Sequence, residues 1–325
     1  MGIYNDALDP AISDGDEANL WVKPLDIVKV SYGYYDNNTL RGDLCYGSWN
    51  WLRPTSSWIA EDEGLLMTGL SGKAQGLLGE ITPNENLYIQ VFAPIVKEKK
   101  ADATYKNVRA GFAYTIPGTA KIKAQYIGKG EGSVDEVKDA DGNVTTPKKD
   151  GNSNCDIEAE VDVLAVENLF LGVGFRYDSR KDGKTAAAGQ ENMKIALGAS
   201  YQVNDDLKVS ASGAYFTFYG EKIDARFQAG VGVDYNLGDG LAANADFRYL
   251  SKAGVDGKKA DNSDHIAFSA GLVKNVSSNG CIGVAFQGQT NSGTFANNVI
   301  NGKAGDNGKA DKFTWAVPVS LSVWF

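Results

Sequence analysis

Long hydrophobic runs are missing from this chain of 325 residues. A helix that crosses a membrane needs about 18 or more consecutive apolar residues, and no stretch of the sequence supplies them. A helical membrane protein is therefore excluded. The chain has 38 glycines, 10% aromatic residues and 22% charged residues, a composition that suits many short strands joined by turns. We therefore predict an all-β fold.

The sequence also lacks an excess of basic residues and closely spaced cysteines. The net charge of −9 argues against a nucleic-acid partner, because binding phosphates requires a basic face. Cys45, Cys155 and Cys281 are widely spaced and contain no C-x-x-C pair, so zinc, redox-dithiol and disulfide-framework signatures are absent. The topology predicted below brings only Cys45 and Cys155 to the same end of the molecule, and a disulfide between them stays open.

Catalytic chemistry has little to build on in this sequence. His265 is the single histidine, and it lies where a loop meets a predicted strand. A hydrolase site would need a histidine paired with a nucleophile or carboxylate at the rim. We therefore expect no enzymatic activity, no cofactor and no metal site.

What the chain does contain is a terminal segment with strict alternation. Large apolar side chains occupy every second position from 313 to 325: Phe313, Trp315, Val317, Val319, Leu321, Val323 and Phe325. Side chains alternate between the two faces of a strand, so these seven share one face. An edge strand this apolar would aggregate in water, but it suits a closed barrel whose outer face meets lipid.

Alternating segments recur along the whole chain, joined in turn by short turns and long polar loops. The predicted strands are 18–23, 25–35, 73–82, 86–96, 105–116, 120–128, 155–164, 169–178, 191–203, 207–217, 225–237, 241–250, 265–275, 281–289 and 313–325. Loops 129–154, 251–264 and 290–312 are rich in Lys, Asp, Gly and Asn, and they read as solvated outer loops. The pattern predicts a transmembrane antiparallel up-and-down β-barrel.

The terminal strand and the hairpin pattern resemble bacterial outer-membrane β-barrels of the general porin type, whose last strand ends in an aromatic residue read by the assembly machinery. The resemblance implies that Phe325 is the assembly signal, that the protein lies in the outer membrane of a Gram-negative bacterium, and that a homotrimer forms. The turn segments around Leu25, Ile81 and Ala165 are also similar to spirochaete porin-like outer-membrane proteins.

The number of predicted strands indicates how many strands the intact protein has. Bacterial single-chain barrels have an even number of strands, and the predicted set has about 15. We therefore expect about 16 strands in the intact protein, with a signal peptide and most of a first strand before Met1. In this division, residues 1–17 are the remnant of the first strand and its outer loop. Residues 18–325 form the transmembrane barrel, with a long outer loop at 36–72.

Tyrosines sort to the two ends of the predicted strands. Tyr114, Tyr201 and Tyr235 lie just before short turns, whereas Tyr126 and Tyr177 lie near long loops. Two belts of aromatic side chains match the two interfaces of a membrane. A soluble β-sandwich also alternates apolar and polar residues, but its core would not sort tyrosines to both ends.

If the apolar face is outside, the polar positions line the lumen. The predicted pore-lining residues are Arg109, Lys121, Lys123, Asp156, Glu158, Glu160, Asp162, Arg176, Lys194, Arg226, Asp246 and Arg248. The acidic ladder from 156 to 162 faces Lys121 and Lys123 on one side and Arg176 on the other. Two interpretations stay open: cross-strand pairing that holds the wall, and a transverse field that sets a weak ion preference.

Loop 36–72 is unusual because it carries tryptophans that water disfavours. We expect it to fold against the lumen wall, a neighbouring subunit or the membrane rim. If it narrows the pore, the constriction residues are Arg41, Trp49, Trp51, Arg53, Trp58 and Glu61. Residues 62–71 could form a further strand.

A barrel of about 16 strands is too wide for side chains to fill. The predicted function is passive diffusion of small hydrophilic solutes and ions through a water-filled lumen. The alternative is a structural surface protein, adhesin or surface antigen that acts through its outer loops. A third possible function is that of a channel specific for one solute. The sequence does not identify that solute.

Overall fold

The computed structural model describes residues 3–6, 9–12, 18–35, 39–41, 74–95, 105–139, 141–181, 188–290 and 313–323. Its strands are β1 (Ile3–Asp6), β2 (Asp9–Ile12), β3 (Ala18–Leu25), β4 (Val28–Tyr35), β5 (Ala74–Asn84), β6 (Leu87–Pro94), β7 (Arg109–Ile116), β8 (Ala120–Gly128), β9 (Val137–Lys138), β10 (Val144–Thr146), β11 (Cys155–Val163), β12 (Leu169–Asp178), β13 (Glu191–Gln202), β14 (Leu207–Phe218), β15 (Arg226–Gly238), β16 (Leu241–Leu250), β17 (Gly254–Val255), β18 (Lys258–Lys259), β19 (His265–Ser277), β20 (Gly280–Gln289), β21 (Thr314–Ala316) and β22 (Val319–Val323). Among the described residues, no helix is long and apolar enough to cross a membrane.

One antiparallel sheet of 16 strands dominates the molecule. Each strand pairs with the next along the chain, from β3 to β20, apart from the small hairpins, and both β21 and β22 pair with β20. This arrangement is the up-and-down topology, in which hairpins follow one another around the sheet. The predicted fold class is confirmed.

Some strand ends differ from the prediction by one to four residues, and the last predicted strand is interrupted. β3 runs on to Leu25, and its turn occupies 26–27. Residues 105–108 lie outside β7, which begins at Arg109. The last strand is split into β21 and β22 around 317–318, because Pro318 has no backbone N–H to donate to a neighbouring strand.

Three small hairpins lie outside the main sheet. β9 pairs with β10 inside the predicted loop 129–154, and β17 pairs with β18 inside the predicted loop 251–264. These two outer connections, predicted as loops, therefore contain local β-structure. β1 pairs with β2 within residues 1–17, and the assignment of that stretch to a truncated first strand stays a prediction.

The two faces of the sheet differ sharply in chemistry. On β15, the apolar residues Phe227 and Val231 are 50% and 55% exposed, whereas Gln228 between them is 2% exposed. On β11, Ile157 and Val161 are exposed, and the acidic residues between them are buried. A flat sheet in water would expose both faces, so this sheet encloses its polar face and presents its apolar face outward.

Aromatic side chains lie on the outward face at both ends of the strands. Tyr114, Tyr201 and Tyr235 near the short turns are exposed, as are Tyr126 and Tyr177 near the long connections. This is the arrangement of two interfacial belts. The outer face of the last strands follows the same rule, because the described members of the apolar set from Phe313 to Val323 are all exposed.

The cysteines lie at opposite ends of the sheet. Cys155 is the first residue of β11, beside an outer connection, and Cys281 is the second residue of β20, which follows a short turn. Both carry free thiols. The disulfide between Cys45 and Cys155 that the sequence left open is therefore not formed in this structure, and Cys45 lies outside the described residues.

Candidate pore lining

Four acidic side chains follow one strand of the inner face. They alternate along β11 and are no more than 5% exposed: Asp156, Glu158, Glu160 and Asp162. The register places Lys123 opposite Glu160, and Lys121 opposite Asp162, on β8. On the other side, Arg176 of β12 lies opposite Glu158. The strands thus bring the predicted acidic ladder and its basic neighbours together.

Lys123 is the central cation of this ladder. Its Nζ lies 3.4 Å from Glu160 Oε1 and 3.5 Å from Asp162 Oδ2, and its side chain is 1% exposed. A buried charge is stable only when it is paired, so each of these three groups depends on the other two. Lys121 lies two residues before Lys123 on the same strand and is half-buried. Among the described residues, no ion pair joins it to Glu160.

The other two acids of the ladder have their own partners. Gln125 Nε2 donates a hydrogen bond to Glu158, and Lys129 pairs with Asp156. Lys129 lies just beyond β8, where the strand pattern has ended, so alternation along the sequence does not identify it as a site residue.

A second charged group joins β12 to β13. Glu191 lies 3.6 Å from Arg176 and 3.9 Å from Lys194, and Lys194 Nζ lies 5.7 Å from the centre of the Phe216 ring. Glu191 has the parity of the outer face, but the register shifts between Glu191 and Met193. A bulge re-aims the side chains before it, which is why strict alternation missed Glu191.

The remaining predicted basic residues are held against the wall or the loops. Arg248 is 1% exposed and donates hydrogen bonds to the carbonyl oxygens of Val231 and Phe247 at 2.9 and 3.0 Å. Its guanidinium also lies 3.3 Å from Asp246. These bonds hold the guanidinium flat along the strands.

Arg109 and Arg226 lie at the loop-side ends of their strands. Arg109 stacks over the Phe92 ring at 5.8 Å. Arg226 donates to the carbonyl oxygens of Ser251 and Ser263, so it ties an outer connection to the wall. Both are half-buried on the inner face.

Residues 39–41, here called the inner segment, lie against the inner face. Leu40 is fully buried, and its Cδ1 lies 2.5 Å from where a Cβ on Gly111 would be. Lys123 Nζ lies 3.4 Å from the carbonyl oxygen of Arg41. The start of the predicted loop 36–72 is therefore on the lumen side of β7 and β8. Trp49, Trp51, Arg53, Trp58 and Glu61 lie outside the described residues, as does Phe325.

A cavity of about 380 Å³ opens near the loop-side end of β11, β12 and β13. Asp178 accepts hydrogen bonds from Arg180 Nε at 2.7 Å and from the Tyr219 hydroxyl. The bond to Asp178 raises the pKa of Arg180, and burial, followed by the charge of Asp178, raises the pKa of Tyr219. Asp178 and Arg180 are among the polar and charged side chains that line this cavity.

Metal-binding clusters are not a feature of this lining. Within the described ranges, no group of three or more His, Cys, Asp or Glu side chains is placed to hold a metal ion.

Fold and face chemistry together define a class of protein. An up-and-down antiparallel sheet with apolar side chains outside and charged side chains inside is stable with hydrocarbon around it. The sheet therefore has the fold and the face chemistry of a transmembrane antiparallel β-barrel.

Comparison with known proteins finds similarity in fold alone. No family model matches, and no curated protein matches. OprB of Pseudomonas putida is 12% identical, with 83% of this chain and 72% of that chain covered and a TM-score of 0.47. OprD of Pseudomonas aeruginosa is 11% identical, with 90% and 77% covered and a TM-score of 0.45. An anion-selective porin from Comamonas acidovorans is 12% identical, with 70% and 82% covered and a TM-score of 0.39.

Proposed function

We propose that this protein is an outer-membrane porin through which small hydrophilic solutes and ions diffuse passively. The observation that carries the proposal is the segregation of charge: strands with an exposed apolar outer face carry buried charged residues on the face they enclose. A sheet with no transport role would have no need for so many charges inside, because apolar packing stabilises an interior without the cost of desolvating ions.

Size supports the same function. At about 16 strands, inward side chains cannot span the interior, and an aqueous passage remains. The inner segment narrows that passage on the side of β7 and β8. We propose that loop 36–72, which contains this segment, is the constriction loop that the sequence predicted.

A second candidate is a surface protein whose lumen is closed and whose outer loops do the work. Two observations favour it. Inner-face residues such as Lys123, Lys194 and Arg248 are only 1% exposed, and two outer connections fold into hairpins of their own. The first observation also suits a narrow passage, so a measurement of conductance is needed to decide.

Planar-bilayer recording of the refolded full-length chain separates the two candidates. A porin gives stable ohmic current steps in potassium chloride, whereas a closed lumen gives none. Protein denatured before addition is the control for detergent leakage. Saturable block of the current by one solute would indicate a channel specific for that solute in place of a general porin.

Assembly belongs to the same proposal. We propose that Phe325 is the residue read by the barrel-assembly machinery and that the barrel forms a homotrimer. Chemical crosslinking in membranes tests the trimer, and removal of Phe325 tests the assembly signal through the amount of folded protein in the outer membrane.

A further inference from the structure

We propose that Lys123 is the positioning residue of this pore: it holds the inner segment against the wall and balances two wall carboxylates, and thereby determines both the width and the ion preference of the passage. The inference rests on the proposed porin function, and it concerns which residue controls the passage.

The geometry of Lys123 matches this double role. An ammonium group has three hydrogens to donate, and three acceptors surround this one at 3.4 to 3.5 Å: Arg41 O, Glu160 Oε1 and Asp162 Oδ2. Two of the acceptors belong to the wall, and the third belongs to the inner segment. Lys123 is therefore a direct link between the inner segment and the strand that carries the acidic ladder.

Leu40 supplies the apolar half of the same attachment. Its side chain is fully buried in a notch on β7 that exists because residue 111 has no side chain. A Cβ there would lie 2.5 Å from Leu40 Cδ1 and 2.8 Å from Gln125 Cβ. The inner segment is thus attached at two adjacent points, one apolar and one charged.

Charge counting predicts what loss of the ammonium would do. Glu160 and Asp162 bring two acidic groups to one cation, and removing that cation leaves negative charge facing the passage. Carboxylates that face a pore attract cations. At the same time, the inner segment loses the contact between Lys123 Nζ and Arg41 O, so it moves away from the wall more easily.

The test is planar-bilayer recording of Lys123→Gln, with Lys121→Gln as the matched variant. Both changes remove one lysine from the inner face of β8, but no described contact joins Lys121 to the inner segment. We expect Lys123→Gln to change single-channel conductance by about 1.5-fold or more, since current depends on pore dimensions, and to shift the reversal potential in a salt gradient toward cations. Lys121→Gln should shift the reversal potential with little change in conductance.

Two further variants separate width from charge. Leu40→Ser loosens the inner segment without changing charge, so we expect it to change conductance and leave the reversal potential as it was. Asp162→Asn added to Lys123→Gln removes one negative charge together with the positive one, so the cation shift should disappear and the conductance change should remain. These variants also guard against misfolding of Lys123→Gln, because Leu40→Ser leaves the wall intact.

Several outcomes overturn the inference. Equal conductance in Lys123→Gln, Lys121→Gln and the parent protein, together with an unchanged Leu40→Ser, would show that the inner segment does not control the passage. An unchanged reversal potential in Lys123→Gln would show that Lys123 does not balance the acids. Absence of current in the parent protein would instead refute the porin function itself.

Discussion

Gly230 of β15 shows how one residue shapes the inner wall. A Cβ at this position would lie 2.7 Å from Arg248 Cδ and 3.0 Å from Ser212 Oγ. The missing side chain lets the arginine lie flat and reach the carbonyl oxygen of Val231. A glycine where another group approaches closely is used for its lack of volume.

Gly230→Val should therefore destabilise the barrel. The added side chain overpacks the site and displaces the guanidinium from its carbonyl partners, and we expect the free energy of unfolding to fall by about 1–3 kcal/mol. The matched control is Gly213→Val, also in a central strand, where the nearest atom to the added Cβ is 3.6 Å away. Guanidinium titration in lipid vesicles measures both. An equal effect of the two variants would contradict the packing argument.

Alternation along the sequence predicted which face of a strand a residue occupies. It did not predict the contacts that depend on residues distant in the chain. The inner faces of β8 and β11 were predicted because period two alone assigns Lys123 and Glu160 to one side. Glu191 was missed because a bulge changes the count. The contact of Leu40 with Gly111 could not be predicted either, because the sequence does not show which strand a loop residue will contact.

At the scale of elements, hydrogen bonds and ion pairs attach the β17–β18 hairpin to the outer connection between β14 and β15. This attachment is called the clasp below. Asp224 accepts hydrogen bonds from Lys259 Nζ at 2.8 Å and from the Gly257 amide at 3.0 Å. The Asp224 amide donates to Gly254 O, and Lys222 pairs with Asp256 at 3.3 Å. Two outer connections thus form one folded unit, which sequence alone did not predict because two-residue strands carry no periodic signal.

The clasp should weaken in acid. The hydrogen bond from Lys259, followed by that from Gly257, lowers the pKa of Asp224 below its ordinary value of 3.8. A carboxyl group with a lowered pKa in the folded state contributes its stabilisation fully above the ordinary value and loses it as the pH falls through the lowered one. The clasp is therefore intact at neutral pH and opens below the ordinary carboxyl range.

Hydrogen exchange of the Gly257 amide measures this change. We expect its protection, corrected for intrinsic exchange, to be constant above pH 3.8 and to fall below it. Asp224→Asn should show the reduced protection at every pH, because the uncharged amide cannot reproduce the ion pair with Lys259. Asp261→Asn, on the same connection, is the control. Protection that does not depend on pH in the parent protein would refute the role of Asp224.

At the scale of the whole molecule, the chemistry of the two faces explains the architecture better than any single contact does. Hydrocarbon outside requires every backbone group to be paired within the sheet, and the registers pair each strand of the main sheet from β4 to β20 on both sides. The alternation of the strands made this part predictable from sequence. The break in the last strand was less evident, because apolar residues continue through Val317 and Val319 on either side of Pro318.

Lipid around the outer face makes a prediction that a soluble sheet does not share. Val231 in the middle of β15 and Val255 on the β17–β18 hairpin have nearly the same exposed fraction, 55% and 54%. In water, Val231→Arg and Val255→Arg would both be mild surface substitutions. In a membrane, only Val231 meets hydrocarbon, and a charge near the midplane of a barrel costs about 2–4 kcal/mol.

We therefore expect Val231→Arg to lower the free energy of unfolding in lipid vesicles by about 2–4 kcal/mol, and Val255→Arg to change it by less than about 0.5 kcal/mol. Guanidinium titration followed by tryptophan fluorescence measures both variants against the parent protein. The comparison is matched for residue type, substitution and exposure, so a difference between the variants reports the solvent around each site. Two equally small effects would mean that the apolar face meets water, and the barrel, its location and its transport role would fail together.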